Sequence, residues 1–297
     1  MRNLAALFLS CFTGIALAES GELSRRRLSD LDIVESAPRT VFETKISYVF
    51  GSALEDFGAQ DAFQTEVKAA RRFLLRGNFY LRLGVEYQRF DFGQTDAPVP
   101  DHLQSFAGVI GIEYMRGRHV GALFYVKPGF YTEDSLGLDS FDVPMTLGSA
   151  FVLQKDKLYL FAGVTSSFLR GRYPVLPLAG VIWCPSRQLR VIGLVPDPRI
   201  VYSPSKTLEL WIGGELGGGS FRTDHDKDIR PRKLSGTQID YSDYRAGIGL
   251  TFSPGDAFKL DFGVGYSLQR SFDFVRAGEE YNTDPAPYLR LAVEAKF

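Results

Sequence analysis

Two groups of residues in this 297-residue sequence could do chemistry. The first is the run Asp224-His225-Asp226-Lys227-Asp228, in which carboxylates alternate around a histidine. Carboxylates at alternate positions begin a calcium loop, so Asp224, Asp226 and Asp228 are candidate metal ligands. Such a loop also needs a glycine at its sixth position and a bidentate glutamate at its twelfth, where Ile229 and Ser235 stand. The same run also fits a solvated polar loop, with divalent-cation or lipopolysaccharide contact as the functional alternative. A hydrolase would need a nucleophile beside one of the histidines, His102, His119 or His225. None stands in a recognisable nucleophile motif, and Gly-x-Ser-x-Gly does not occur. The chain is therefore expected not to be an enzyme and to use no cofactor.

The second group is a set of charges that recur at every second position. Glu43, Lys45, Arg82, Glu86, Asp243, Arg245, Lys259, Asp261, Arg290, Glu294 and Lys296 each face away from an apolar set on the same segment. A period of two is that of a β-strand, whose side chains alternate between faces. Phe258, Leu260, Phe262, Val264, Tyr266 and Leu268 oppose Lys259, Asp261, Gly263, Gly265, Ser267 and Gln269, for example. Charges of both signs on one face suit a water-filled lumen, with the apolar face turned to lipid. A closed network of ion pairs filling a small barrel fits the same pattern, because an unpaired buried charge is costly. The inward glycines at 84, 247, 249, 263 and 265 mark narrow places or bends in the wall.

These segments repeat along the chain without sustained helical periodicity, so the fold class is all-β. The last of them, ending at Phe297, places Leu289, Leu291, Val293, Ala295 and Phe297 on one face. That pattern resembles the signal by which outer-membrane barrels are recognised for insertion, so the insertion machinery is an expected partner, with outer-membrane lipid. At the other end, Arg2, the apolar stretch Leu4 to Leu17 and Ala16-Leu17-Ala18 read as a signal peptide over residues 1–18. Residues 19–39, with Arg25-Arg26-Arg27, read as a flexible periplasmic lead or a segment tucked into the lumen, and residues 40–297 as the barrel. After cleavage Cys184 is the sole cysteine, which excludes an internal disulfide. The near-neutral charge argues against nucleic acid as a partner.

Short turns near Gly77, Gly117, Lys155 and Pro254 alternate with longer loops, as periplasmic turns alternate with outer loops in such barrels. Counting from both ends predicts an antiparallel up-and-down transmembrane barrel of about twelve strands, with Pro185 to Ser205 as an excursion. A short hairpin bent at Pro196-Asp197-Pro198 would make fourteen.

The Pro-rich middle, Leu176-Pro177-Leu178-Ala179-Gly180-Val181-Ile182-Trp183 with Pro185-Ser186 and Val195-Pro196-Asp197-Pro198-Arg199-Ile200-Val201-Tyr202, resembles a bacterial outer-membrane β-barrel family of unknown function. Tyr241-Ser242-Asp243-Tyr244-Arg245 adds to the resemblance. It implies an outer-membrane location and a barrel architecture, and no reaction. The first expectation for function is a porin-like passive channel for small solutes or ions. A non-conducting structural or adhesion barrel acting through its outer loops is the second. A rim-site hydrolase at Asp224 to Asp228 is the third.

Overall fold

The computed structural model describes residues 40–297 apart from 117–118, 156, 172 and 226–228. The expected signal segment and lead lie outside the described residues. The paired segments are β1 (Thr40–Ala53), β2 (Ala59–Arg76), β3 (Phe79–Phe92), β4 (His102–Arg116), β5 (His119–Val126), β6 (Gly129–Thr132), β7 (Phe141–Asp142), β8 (Met145–Gln154) and β9 (Leu158–Ser166). They continue with β10 (Val175–Trp183), β11 (Leu189–Leu194), β12 (Arg199–Tyr202), β13 (Leu208–Arg222), β14 (Gln238–Gly255), β15 (Phe258–Phe274), β16 (Glu279–Asn282) and β17 (Ala286–Lys296).

Three pairs of segments are single strands with a local break. β5 and β6 both pair with β4, β8 and β7 pair with β5 and β6 in turn, and β17 and β16 both pair with β15. The result is a closed antiparallel barrel of 14 strands, sealed where β1 pairs with β17. The preferred expectation of twelve is thereby corrected. Pro185 to Ser205 is no excursion: β11 pairs with β10, β12 with β13, and Val195 to Pro198 turns between them. The prolines sit at the turn, where a missing donor breaks no ladder.

Outside, Phe42, Ile46, Phe73, Ile110, Ile212 and Leu289 are among many exposed large apolar side chains. Apolar surface so extensive is uncharacteristic of a water-soluble monomer. On β17 it faces opposite to the buried Tyr288, Arg290, Glu294 and Lys296. The terminal Leu289, Leu291, Val293, Ala295 and Phe297 all lie on this outer face, with Phe297 80% exposed.

The short β11–β12 hairpin reshapes the ring. The carbonyl oxygens of Pro198 and Pro196 accept from the amides of Gly214 and Leu216, so the hairpin ends level with the middle of β13. Above that level β13 has no β12 beside it and turns inward. Arg222 meets Thr132 of β6 in parallel register, and the amide of Glu133 donates to the Arg222 carbonyl. Gly218, at φ +125°, stands in this inward-turning stretch, in a conformation that a side chain would strain. The outer end of the ring therefore contracts to β1–β4, β6 and β13–β16. A cavity of about 30 Å³ survives beside the bend, lined by Lys127, Asp142, Arg170 and Gly218 among others, with room for about two waters.

Candidate functional site

The interior divides into two levels. At the outer end the contracted ring is filled by apolar side chains. Phe90, Phe92, Tyr241, Phe272, Phe274 and Phe221 are buried there with Val49, Leu103 and Ile239. Ring centroids lie 4.9 Å apart for Phe92 and Phe272, 5.0 Å for Phe92 and Tyr241, and 4.9 Å for Phe90 and Tyr241, in edge-to-face geometry. Leu234, from the 3-10 turn Arg232–Leu234 in the outer loop, enters the same core and is fully buried. This stopper closes the outer mouth.

Below it the inner wall is charged. Glu215 on β13 accepts from Arg290 Nη1 at 2.5 Å, bonds Lys45 Nζ, and lies 3.8 Å from Arg245. Asp261 on β15 bridges Arg290 Nη2 at 2.8 Å and Arg199 Nη1 at 3.1 Å, and accepts from Thr251. Asp243 takes Arg245 at 2.6 Å and the Ser267 hydroxyl at 2.6 Å. Lower down, Lys259 and Lys296 hold Glu294 at 3.3 and 2.9 Å. Across the lumen Glu113 receives Arg82 and Arg72, each at 2.8 Å, and Lys127 pairs with Glu86 at 2.7 Å.

Of the sequence-predicted charges, Lys45, Asp243, Arg245, Asp261 and Arg290 thus join one cluster. Lys259, Glu294 and Lys296 form a second, and Arg82 and Glu86 belong to ion pairs on the facing wall. Glu43 stands opposite Glu294 and Lys68 in the strand register. The sequence reading missed Glu215, Arg199, Trp211, Glu113 and Lys127. The signal for Glu215 was present but diluted, since β13 places it among Gly213, Gly214, Gly217, Gly218 and Gly219. The inward glycines do more than narrow the wall. A Cβ at Gly263 would lie 2.7 Å from the Trp211 ring and one at Gly249 would overlap it, so both make room for the indole. Arg199 stacks over that ring with its guanidinium carbon 4.0 Å from the centroid, and Arg290 lies at 5.4 Å.

At the outer rim Asp224 accepts from the amide and hydroxyl of Ser135, and its own amide donates to Glu133 Oε2 at 2.8 Å. These bonds stitch the loop after β6 to the loop after β13, just above the point where the two strands meet. Asp224 is a loop anchor, and Asp226 and Asp228 lie outside the described residues. His102 lies 3.0 Å from Asp101 and 4.0 Å from Asp134. Burial pushes the Glu133 carboxyl up from the usual carboxylate range; the hydrogen bond from the Asp224 amide opposes this, the charges of Asp224 and Asp101 add to it, and His102 opposes it. A raised folded-state value favours the folded form at low pH, and that contribution is lost as pH rises through the raised value. Glu133→Gln should therefore flatten the pH dependence of stability from the ordinary carboxylate range upward, followed as the midpoint of heat-dependent gel mobility. An unchanged pH profile would exclude this role for Glu133.

A closed ring with an apolar outer belt and a charged interior defines a bacterial outer-membrane β-barrel. No protein-family model matches the chain, and no curated protein matches it in sequence. Among solved structures it is similar to the TodX deltaS2S3 mutant monoaromatic hydrocarbon channel, with 9% identity and a TM-score of 0.50 over 96% of this chain and 94% of that one. It is also similar to an outer membrane channel from Pseudomonas putida F1, with 10% identity and a TM-score of 0.45 over 88% and 95% of the two chains. A third is the translocator domain of the autotransporter NalP from Neisseria meningitidis, with 12% identity and a TM-score of 0.39 over 94% and 95%. At such identities the likeness is one of fold.

Proposed function

We propose that this barrel is a narrow passive channel for small solutes, hydrated from the periplasmic side and shut at its outer mouth in the present state. The observation that carries the reading is the contrast between the two levels of one interior. The outer end shows that this chain can fill a lumen with apolar side chains. Below that level it instead lines the lumen with Lys45, Glu215, Asp261 and Arg290. Desolvated ion pairs rarely stabilise more than apolar packing of the same volume. At the edge of this cluster Lys45 and Asp197 keep 16% and 30% of their side chains exposed, and it is there that water and polar solutes would meet it. The fold likeness to a monoaromatic hydrocarbon channel is in line with passage of small molecules.

The stopper itself favours a second reading, a non-conducting barrel that works through its outer loops. Planar-bilayer recording separates the two. A channel of this kind is expected to give small, discrete conductance steps, rare at rest. Folded, heat-modifiable protein that stays silent, even after the stopper is opened by mutation, would leave the structural reading standing alone.

A further inference from the structure

At the outer rim a cleft of about 470 Å³ opens between the loop after β1 and the loop after β3. Phe57, Gln60, Thr95, Asp96, Val99 and Asp101 are among the residues that line it. Phe57 and Val99 also pack on the apolar stopper, so the cleft adjoins the shut mouth. Its wall holds one open acceptor. Gln60 is 1% exposed, and among the described residues its Oε1 has no hydrogen-bond partner. Turning the amide over is no remedy, because Nε2 donates to the Gly93 carbonyl at 3.2 Å and the flipped group would set two oxygens together. Buried acceptors are ordinarily paired, so this one marks a place for a donor.

Charge and size narrow the class of ligand. Residues 51–61 and 93–101 carry Glu55, Asp56, Asp61, Asp96 and Asp101, and no lysine or arginine. Arg270 stands behind Gln60, its Nη atoms bonded to Ser52 and to the Gln60 and Asp61 carbonyls, and is fully buried outside the lining. Two side-chain donors of the wall are already spent, Gln60 on Gly93 and the Thr95 hydroxyl on the Phe57 carbonyl at 2.6 Å. A cation that carries N–H donors meets both the charge and the open acceptor. A bare metal ion fits less well. Among the described residues no three carboxylates or imidazoles are grouped to hold one, and the cleft is far larger than an ion. The half-buried Phe57 ring, with Val99, offers an apolar and cation-attracting surface to an organic body.

We propose that this cleft binds small organic ammonium ions at the outer face. Asp96 and Asp101 supply the negative field, Gln60 Oε1 accepts an ammonium N–H, and Phe57 carries the body. The cleft lies outside the stopper, so binding needs no passage through the lumen and goes beyond the channel reading. Asp96 is the cleaner carboxylate to change, because it is exposed while Asp101 is 3.0 Å from His102.

The experiment titrates the full chain, folded in detergent, with benzylammonium chloride at constant ionic strength, read by saturation-transfer NMR against protein-free micelles. Benzyl alcohol is the uncharged comparison. The expected result is a saturable response to benzylammonium only. Asp96→Asn should weaken binding about fivefold, and Gln60→Leu, which deletes the open acceptor, about tenfold. An equal response to benzyl alcohol, a response linear in benzylammonium, or none at all would each overturn the site, as would binding that Asp96→Asn leaves unchanged. Displacement by calcium chloride beyond that by sodium chloride at equal ionic strength would make this a metal site and overturn it too. Should Gln60→Leu not fold, Asp96→Asn and the paired ligands still decide.

Discussion

Removing Phe272 or Phe92 is expected to open the outer mouth and to raise single-channel conductance severalfold over the parent protein. Phe272 is fully buried and its ring centroid is 4.9 Å from that of Phe92. Each also packs on Tyr241, at 5.1 and 5.0 Å. Truncation to alanine deletes a ring from a packed interior, which costs about 3–5 kcal/mol when the surroundings relax only in part. The cost should show as a lower midpoint in urea or in the heat-dependent gel shift. Because the two rings touch, the double variant should lose less than the sum of the single losses. Conductance and stability need not move together, and that makes the experiment informative. A full stability loss with unchanged conductance would mean that the outer loops, and not the ring core, shut the mouth.

The stopper was the part of the interior least legible in the sequence, and the reason is a change of parity. On β15 the outward set runs Phe258, Leu260, Phe262, Val264, Tyr266 and Leu268. Continued at period two, it would put Arg270 and Phe272 in the lipid. The pairing register with β14 slips between Tyr244 and Arg245, and Leu268 is the extra residue on β15. A bulge of this kind transfers every later side chain to the opposite face. Arg270, Phe272 and Phe274 consequently point inward, and all three are fully buried. Arg270 is held there by the Ser52 hydroxyl and the Gln60 and Asp61 carbonyls.

Along most of the first strand and along the last, the period-two reading met no such obstacle. From Thr40 to Val49 and from Ala286 to Lys296 the register runs unbroken, and the charged and apolar faces are those the alternation predicts. The strand count failed at a different kind of feature. β11 and β12 are six and four residues long, too short to display a pattern. Their prolines read equally as the tip of a hairpin or as an excursion. What settles the matter is pairing with β10 and β13, a tertiary fact.

The charged level can be tested at the residue the alternation failed to single out. Glu215→Gln should destabilise the barrel by about 3–5 kcal/mol, the usual effect of removing one partner from a buried ionic cluster. Glu215 is 7% exposed and touches Lys45, Arg245 and Arg290. The amide keeps the shape and one carbonyl acceptor, so what is lost is the charge that balances those cations. The same change leaves the middle of the lumen more positive, and any current should shift towards anions, read as the reversal potential in a salt gradient. A second variant separates an ionic cause from a steric one. Lys45→Met together with Glu215→Met removes a cation with the acid and should cost less than the single Glu215→Gln. Equal stability of Glu215→Gln and the parent, with an unmoved reversal potential, would mean that water already screens this cluster as thoroughly as it screens a surface pair. Exposed ion pairs contribute about 0–1 kcal/mol, and the expected gap between that figure and the buried case is wide enough for either measurement to resolve.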